Sequence, residues 1–247
     1  MARRNARAVP CFPSLTEPET IGSEYRPELC IACDDGVVTG GDDAQDPTPD
    51  SSPEAGSGQL PRKVRPGSLL IASTDLIEPT FRRSVIYMME HNAAGSLGVV
   101  INQMSQAAVH NLLPQWTDLA SSPRALFVGG PVKRDAALCL GVLKPGMSDD
   151  EELGVRPVDG RVVLIDLDAD PEALADRLEG LRIFAGYAGW GPGQLDGELA
   201  DGSWLVASAL PADLLAPPAA DLWFSVLRRQ PWPLGLLATH PIDVLRN

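Results

Sequence analysis

The stretch "FAGYAGWGPGQLDGEL" (residues 184–199) holds the densest set of residues that could do chemistry in this sequence of 247 residues. Its glycines surround Tyr187 and Trp190 and follow a predicted strand, and backbone amides in such turns can hold a phosphate. The nucleotide-binding patterns are incomplete, however. A P-loop requires Gly-Lys-Ser/Thr, whereas Gly193 is followed by Gln194, and the third glycine of a dinucleotide fingerprint is missing. We therefore interpret the glycines as packing and turn residues, with Gln194 on a helix that could border a cleft.

Polar residues beside a predicted hairpin form a second candidate site. Arg83 precedes a strand, where a guanidinium can pair with a carboxylate of the protein or receive an acidic ligand. His91 and Asn92 end that strand, and Glu90 with His91 could act as an acid and a base. The alternative for His91 is a hydrogen-bonded turn residue without a catalytic role.

No recognised catalytic or metal-binding motif accompanies these residues. The sequence lacks G-x-S-x-G and HExxH, and Cys30 and Cys33 have no second Cys or His pair with which to hold zinc. We predict neither a cofactor nor a metal ion, and we assign no catalytic residue. If the protein binds a ligand, the expected contact residues are Arg83, His91, Asn92, Tyr187, Trp190 and Gln194.

The charge of the chain bears on its partners. The formal net charge is −13 at pH 7, and the acidic side chains are spread along the sequence. Such a body repels phosphate backbones, so we expect no sequence-specific binding to DNA. No apolar run reaches the roughly 20 residues that span a bilayer, and no apolar segment follows the basic N-terminus as in a secretory signal. We therefore predict a cytoplasmic protein without membrane association.

The composition changes near residue 65. Residues 1–64 are rich in Pro, Asp, Glu, Ser and Gly and have almost no apolar periodicity, which predicts a disordered acidic tail. Residues 65–247 carry regular apolar patterns. A chain of this length can bury roughly 70% of its unfolded surface, so we predict a single self-sufficient domain.

The apolar patterns after residue 65 predict strands with a few short helices. Strands are predicted at residues 67–73, 84–90, 96–102, 125–130, 137–143, 161–167, 181–188 and 203–209, with a hairpin at "HNAAG". Helices are predicted within residues 104–116, 193–202 and 219–229, and from an N-cap at Asp170 to a stop at Gly180. Because strands and helices do not alternate regularly, we expect an α+β fold with a largely antiparallel or mixed sheet.

Several blocks together resemble the AlgH/YqgE family of bacterial proteins. They are "GSLLIAS", "FRRSVIYMMEHNAAGSLGVVIN", "LFVGGPV", "FAGYAGWGPGQLDGEL" and "DLWFSVL", in the family's order between about residues 67 and 229. The resemblance implies a strongly bent sheet, similar to an incomplete barrel, with flanking helices. It also implies a genetic link to transcriptional regulation, without an established activity or agreed catalytic residues. The acidic tail lies outside the resemblance.

Two functional hypotheses follow from these observations. In the first, the chain is a non-enzymatic binding or regulatory protein that acts through contacts with other proteins. In the second, it is a small enzyme or ligand-binding protein with a loop-built site around Arg83, His91 and Gln194. The position of these three side chains relative to one pocket discriminates between the hypotheses.

Overall fold

The computed structural model describes residues 63–239, except residues 219 and 233. The predicted tail lies outside the described residues apart from Lys63 and Val64, and so do Cys30 and Cys33. No helix in the described part of the chain is long and apolar enough to cross a bilayer.

The described residues form ten strands and five short helices. The strands are β1 (Ser68–Ala72), β2 (Val85–Asn92), β3 (Gly95–Val100), β4 (Met104–Ala108), β5 (Ala125–Val128), β6 (Val132–Leu143), β7 (Val155–Asp159), β8 (Val162–Ile165), β9 (Leu178–Trp190) and β10 (Trp204–Ser208). The helices are α1 (Val109–Leu112), α2 (Pro171–Leu174), α3 (Gln194–Ala200), α4 (Pro211–Leu214) and α5 (Leu222–Arg228), with 3₁₀ turns at Pro114–Trp116, Glu151–Leu153 and Leu234–Thr239.

The strands assemble into one sheet in the order β10-β1-β2-β3-β9-β6-β8-β7, and all neighbours in this order run antiparallel. β5 joins β9 in parallel and carries β4 as an antiparallel branch. The sheet curls into a half-barrel, which confirms the predicted α+β class and the bent, largely antiparallel sheet. Strand β9 is the centre of this arrangement, because its 13 residues pair with β3, β5 and β6.

The predicted hairpin forms between β2 and β3, with a tighter turn than the sequence indicates. Asn92 pairs with Gly95, so that only Ala93 and Ala94 connect the strands. The Asn92 Oδ1 atom accepts a hydrogen bond of 2.8 Å from the Ala94 amide, as asparagine does in many tight turns. The strands therefore include residues that the sequence assigns to the loop.

The helix predicted within residues 104–116 is largely wrong. Residues 104–108 form β4, because pairing with β5 outweighs the helix propensity of Gln and Ala in this segment. Only Val109–Leu112 is α-helical, and it ends before Pro114 as the sequence indicates.

The helix predicted after Asp170 begins correctly and ends too late. The Asp170 side chain caps α2 by accepting a hydrogen bond from the Glu172 amide at 3.0 Å. The helix stops at Leu174, and Gly180 lies within β9, where it pairs with Val142. The long apolar run of β9 extends backward through this glycine and shortens the helix.

Strand β7 has no predicted counterpart in the sequence. It lies at one edge of the sheet and contains Pro157. Proline has no amide donor and is tolerated at a sheet edge, although it weakens the strand signal in a sequence.

Two clusters of buried side chains lie within the core of the described residues. One cluster lies between β1–β3 and the start of α3, and it includes Ile86, Trp190 and Trp204. The other lies under β6, β8 and β9 and includes Trp116 and Cys139, whose pKa burial raises well above the usual value of a thiol. The predicted helix α5 buries its apolar face, Leu222, Trp223, Val226 and Leu227.

Candidate functional site

A pocket of about 360 Å³ opens between the sheet and the segment that leads into α5. We call it the arginine pocket. Its lining consists of Arg82, Arg83, Ile101, Asn102, Gln103, Phe127, Arg182, Ala216, Pro217, Pro218, Ala220, Asp221 and Leu222.

One wall of the arginine pocket belongs to the sheet. It is formed where β3 ends, at residues 101–103, together with Phe127 of β5 and Arg182 of β9. Phe127 and Phe184 are register partners in the parallel pairing of β5 with β9, so their backbones are fixed by the ladder. Strand pairing therefore sets the backbone positions of Phe127 and Arg182 in this wall.

The other wall is the segment between α4 and α5, of which the structure describes residues 215–218, 220 and 221. Adjacent prolines, Pro217 and Pro218, prevent it from continuing as helix. An ion pair joins the elements on either side of this segment: Arg229 donates to both carboxylate oxygens of Asp213, at 2.6 Å each. Because the Asp213 side chain is only 7% exposed, this bidentate pair holds the two ends of the wall together.

Arg182 is the most unusual residue of the pocket. It is 2% exposed, and its guanidinium lies 4.2 Å from the centre of the Phe127 ring. One Nη atom donates to the carbonyl of Ala216 in the opposite wall, whereas Nε has no hydrogen-bond partner in the described part of the chain. Within that part, no carboxylate pairs with Arg182.

Burial determines the electrostatics of Arg182. Desolvation lowers the pKa of its guanidinium from 12.5 to about 10, since a low-dielectric surrounding disfavours the charged form. A pKa of about 10 still leaves the side chain protonated at neutral pH. Among the described residues, the sheet wall thus holds a buried positive charge that no carboxylate offsets through an ion pair.

Arg83 lines the same pocket and docks α5. Its guanidinium carbon lies 4.6 Å from the Trp223 ring centre and 4.8 Å from that of Phe224, a cation–π geometry. Its backbone has φ = 55° and is held by Asn102, whose Nδ2 donates to the Arg83 carbonyl at 2.8 Å. Arg83 therefore connects the strained turn before β2 to α5, the helix that follows the wall segment.

Two predicted residues of the glycine-rich stretch, Trp190 and Gln194, lie away from the pocket, in a cluster that we call the tryptophan corner (Trp190, Gln194, Glu198 and Trp204). The Glu198 carboxylate accepts the indole N–H of Trp190 at 2.9 Å and that of Trp204 at 2.7 Å. It also accepts the Gln194 amide at 3.0 Å, while the Gln194 oxygen accepts the Gly191 amide at 3.1 Å. Gln194 is thus bound to its own corner and does not border the arginine pocket.

His91 lies beside this corner, in a row that contains a serine and an aspartate. Its Nδ1 atom is 2.8 Å from Ser96 Oγ, and its Nε2 atom is 4.0 Å from Asp196 Oδ1. Ser96 is only 5% exposed and lies on a strand that is paired on both sides. A buried hydroxyl is poorly placed to attack a substrate, and 4.0 Å exceeds a hydrogen bond. The row therefore fits a structural contact between the hairpin and α3.

The remaining predicted residues are placed by the backbone. Asn92 forms the hairpin turn described above. Tyr187 is half-buried opposite Val132 of β6, and burial raises the pKa of its hydroxyl. Of the six predicted contact residues, Arg83 lines the arginine pocket, whereas His91, Trp190 and Gln194 lie near α3.

Sequence reasoning did not select Arg182. Arg182 lies in "LRIFAG", and a single charged residue among apolar ones is usually interpreted as an exposed position of a strand. The available signal was that both neighbours, Leu181 and Ile183, and then Phe184 predict a strand buried on both faces. A charge inside such a strand must be buried, and a buried charge is a candidate for function.

The sequence profile of the AlgH-like family matches residues 69–235. The chain belongs to the AlgH-like family. The matched range contains the whole arginine pocket and the whole tryptophan corner, so both are parts of the AlgH-like domain.

Bacterial relatives support the same membership. A UPF0301 protein of Mycobacterium ulcerans is 60% identical over 199 residues, which cover 81% of this chain and 99% of the relative. A UPF0301 protein of Rhodococcus jostii is 65% identical over 184 residues, which cover 74% of this chain and 92% of the relative. The predicted family is therefore confirmed.

Two solved structures share the fold. The crystal structure of a Corynebacterium diphtheriae protein has a TM-score of 0.69 and 38% identity, over 72% of this chain and 93% of that chain. The solution structure of the AlgH protein from Pseudomonas aeruginosa has a TM-score of 0.52 and 29% identity, over 72% of this chain and 94% of that chain.

Proposed function

We propose that this AlgH-like chain is a non-enzymatic, cytoplasmic binding protein with a regulatory role, which holds a small anion in the arginine pocket and acts through contacts with other proteins. The observation that carries the proposal is Arg182, a guanidinium that is 2% exposed and has no carboxylate partner in the described part of the chain.

A buried charge without a partner is costly, because the protein interior solvates it less well than water does. An anion that enters the pocket offsets this cost and gains a charge-assisted hydrogen bond. Arg82 and Arg83 also border this pocket. The pocket is therefore suited to an anionic ligand despite the acidic charge of the whole chain.

The residues of the pocket favour binding over catalysis. The Arg182 guanidinium, with a pKa of about 10, stays protonated at neutral pH and does not act as a general base. The alternative, an enzyme built on Arg83, His91 and Gln194, requires these side chains to share a site. His91 and Gln194 instead make hydrogen bonds to Ser96 and Glu198, outside the lining of the pocket.

The acidic charge of the chain determines the form that regulation takes. A net charge of −13 repels DNA, so we propose that the protein influences transcription through a protein partner rather than by binding DNA directly. The wall segment 215–221 is one side of the pocket and connects two helices, so it is the part that a bound anion would contact together with the sheet.

The proposal is tested by calorimetric titration of the full chain at low ionic strength with acetate, butyrate and inorganic phosphate. We expect saturable binding of at least one of these anions, a loss of at least tenfold in affinity in Arg182→Met, and unchanged affinity in Arg161→Met. Arg161 is a matched control because it pairs with Glu179 at 2.8 Å, away from the pocket. Binding that survives in Arg182→Met, or the absence of binding by all three anions, would contradict the proposal.

A further inference from the structure

We propose that the ligand of the arginine pocket is a small zwitterion of the amino-acid type with an apolar side chain, whose carboxylate binds Arg182 and whose ammonium group binds Asp221. The carboxylate half of this inference rests on the function proposed above. The ammonium half rests on the opposite wall of the pocket.

Two opposite charges line this pocket from different walls. Arg182 belongs to the sheet wall, and Asp221 is the last residue of the wall segment before α5. Within the described residues, Arg182 donates to the Ala216 carbonyl and not to Asp221, although both line a space of about 360 Å³. Opposite charges that share a pocket without pairing can each bind one end of a ligand that bears both charges.

The Asp221 carboxylate has acceptor capacity left for such a ligand. Its Oδ1 atom accepts the Phe224 amide at 3.2 Å and thereby caps α5. A carboxylate offers about four acceptor positions, and Oδ2 accepts no hydrogen bond within the described part of the chain. An ammonium group, with three donors, matches that remaining oxygen.

The two walls also differ in the hydrogen-bonding groups they offer. The wall segment contains Pro217 and Pro218, which have no amide N–H. In the sheet wall, the side-chain amides of Asn102 and Gln103 each donate one hydrogen bond within the protein, to the carbonyls of Arg83 and Thr80 at 2.8 Å each. The Nε atom of Arg182 has no hydrogen-bond partner in the described part of the chain. The wall segment thus favours a ligand group that donates, and the sheet wall, through Arg182, favours a group that accepts.

The rest of the lining selects the body of the ligand. Ile101, Phe127 and Leu222 contribute apolar surface to the same pocket. Ligand sites of drug-sized molecules range from about 300 to 1,000 Å³, and this pocket lies near the lower limit. An amino acid with an aliphatic side chain fits both the size and the surface.

The test compares three ligands of nearly equal size in calorimetric titrations of the full chain. L-Leucine carries both charges, 4-methylpentanoate lacks the ammonium group, and 3-methylbutylamine lacks the carboxylate. We expect leucine to bind about tenfold more tightly than 4-methylpentanoate, and the amine to show no saturable binding.

The matched variant is Asp221→Asn. Asparagine caps a helix about as well as aspartate does, so α5 keeps its start, and the circular dichroism spectrum and melting temperature report that it does. We expect the advantage of leucine over 4-methylpentanoate to disappear in Asp221→Asn, while the affinity for 4-methylpentanoate is retained. Asp201→Asn, which removes an exposed carboxylate outside the pocket, should keep the advantage.

The outcomes separate the two proposals. If 4-methylpentanoate binds in an Arg182-dependent manner and as tightly as leucine, or if the advantage of leucine persists in Asp221→Asn, the zwitterion inference is overturned and the anion-binding function stands. If neither leucine nor any simple carboxylate or phosphate binds, both proposals fail together.

Discussion

The two ends of strand β9 differ in how completely their polar groups are paired. At the end of the strand, the indole of Trp190 donates to Glu198, which also accepts from Trp204 and Gln194. Nearer its start, Arg182 is buried. In the described part of the chain, its Nε atom has no hydrogen-bond partner and no carboxylate forms an ion pair with its guanidinium. One strand therefore carries a closed polar network and an open one.

The difference in pairing suggests different roles for the two ends of β9: the end at Trp190 supports the fold, and the end near Arg182 is suited to binding a ligand. A closed network gains little from a ligand, because each group already has its partner. A buried and unpaired cation gains a great deal. We therefore interpret the glycine-rich stretch, the most recognisable block of the sequence, as scaffold, whereas the less conspicuous "LRIF" block contributes Arg182 to the proposed site.

The largest expected loss of stability comes from a change to the β9 backbone at Gly186, in the half of the strand that leads to Trp190. Gly186 has φ = 72°, and a Cβ atom there would lie 2.7 Å from the Val132 carbonyl and 2.8 Å from the Gly130 carbonyl. Gly186→Ala therefore combines an unfavourable φ with overpacking against backbone, and we expect a loss of about 3 to 4 kcal/mol in the free energy of unfolding. Urea denaturation followed by tryptophan fluorescence measures it.

Gly193→Ala is the matched control for this prediction. Gly193 has nearly the same φ, 71°, but a Cβ atom there would meet nothing within 4 Å. We expect a loss of about 1 kcal/mol, from the left-handed conformation alone. Equal losses in the two variants would contradict the conclusion that β6 approaches β9 closely at Gly186.

A smaller effect is expected from opening the closed network. Glu198→Ala leaves two indole donors and the Gln194 amide without their acceptor, so we expect a loss of about 2 to 3 kcal/mol in the free energy of unfolding. Anion binding at the arginine pocket should not change. Asp201→Ala removes an exposed carboxylate just after the same helix and should cost less than about 0.5 kcal/mol. A similar loss in both variants would indicate that the network contributes little.

Much of the fold could be predicted because its signals are local. The apolar runs of β1, β3 and β8 lie within one or two residues of their predicted positions, and α5 buries the predicted face. The errors occur where pairing with a strand that is distant in the sequence determines the local structure. Residues 104–108 form a strand because β5 pairs with them, and Gly180 belongs to β9 because β6 extends beside it.

The site was harder to predict than the fold for a physical reason. The arginine pocket collects residues from the turn before β2, the segment after β3, β5, β9, the wall segment and α5. The first and last of these residues, Arg82 and Leu222, are 140 positions apart in the sequence. Arg83 was selected because a pair of arginines before a strand is visible locally. Whether a partner lies near Arg182 depends on tertiary structure, and no local pattern reports it.

The smallest expected effect is a gain in stability rather than a loss, and it concerns Arg182 in β9. A fall in pKa from 12.5 to about 10 corresponds to roughly 3 kcal/mol of unfavourable burial for the charged Arg182. Arg182→Met removes this cost but also removes the hydrogen bond to Ala216 and the contact with Phe127, each of which contributes about 1 kcal/mol. We therefore expect the free energy of unfolding to rise by about 1 kcal/mol while anion binding is lost.

The control for this last prediction is Arg161→Met, which removes an arginine from a partly exposed ion pair and should lower the free energy of unfolding by less than about 1 kcal/mol. Urea denaturation in the absence of added anions measures both variants. A loss of more than about 2 kcal/mol in Arg182→Met would indicate that the guanidinium mainly stabilises the wall segment. A gain in stability together with a loss of binding identifies a residue retained for its ligand at the expense of the fold.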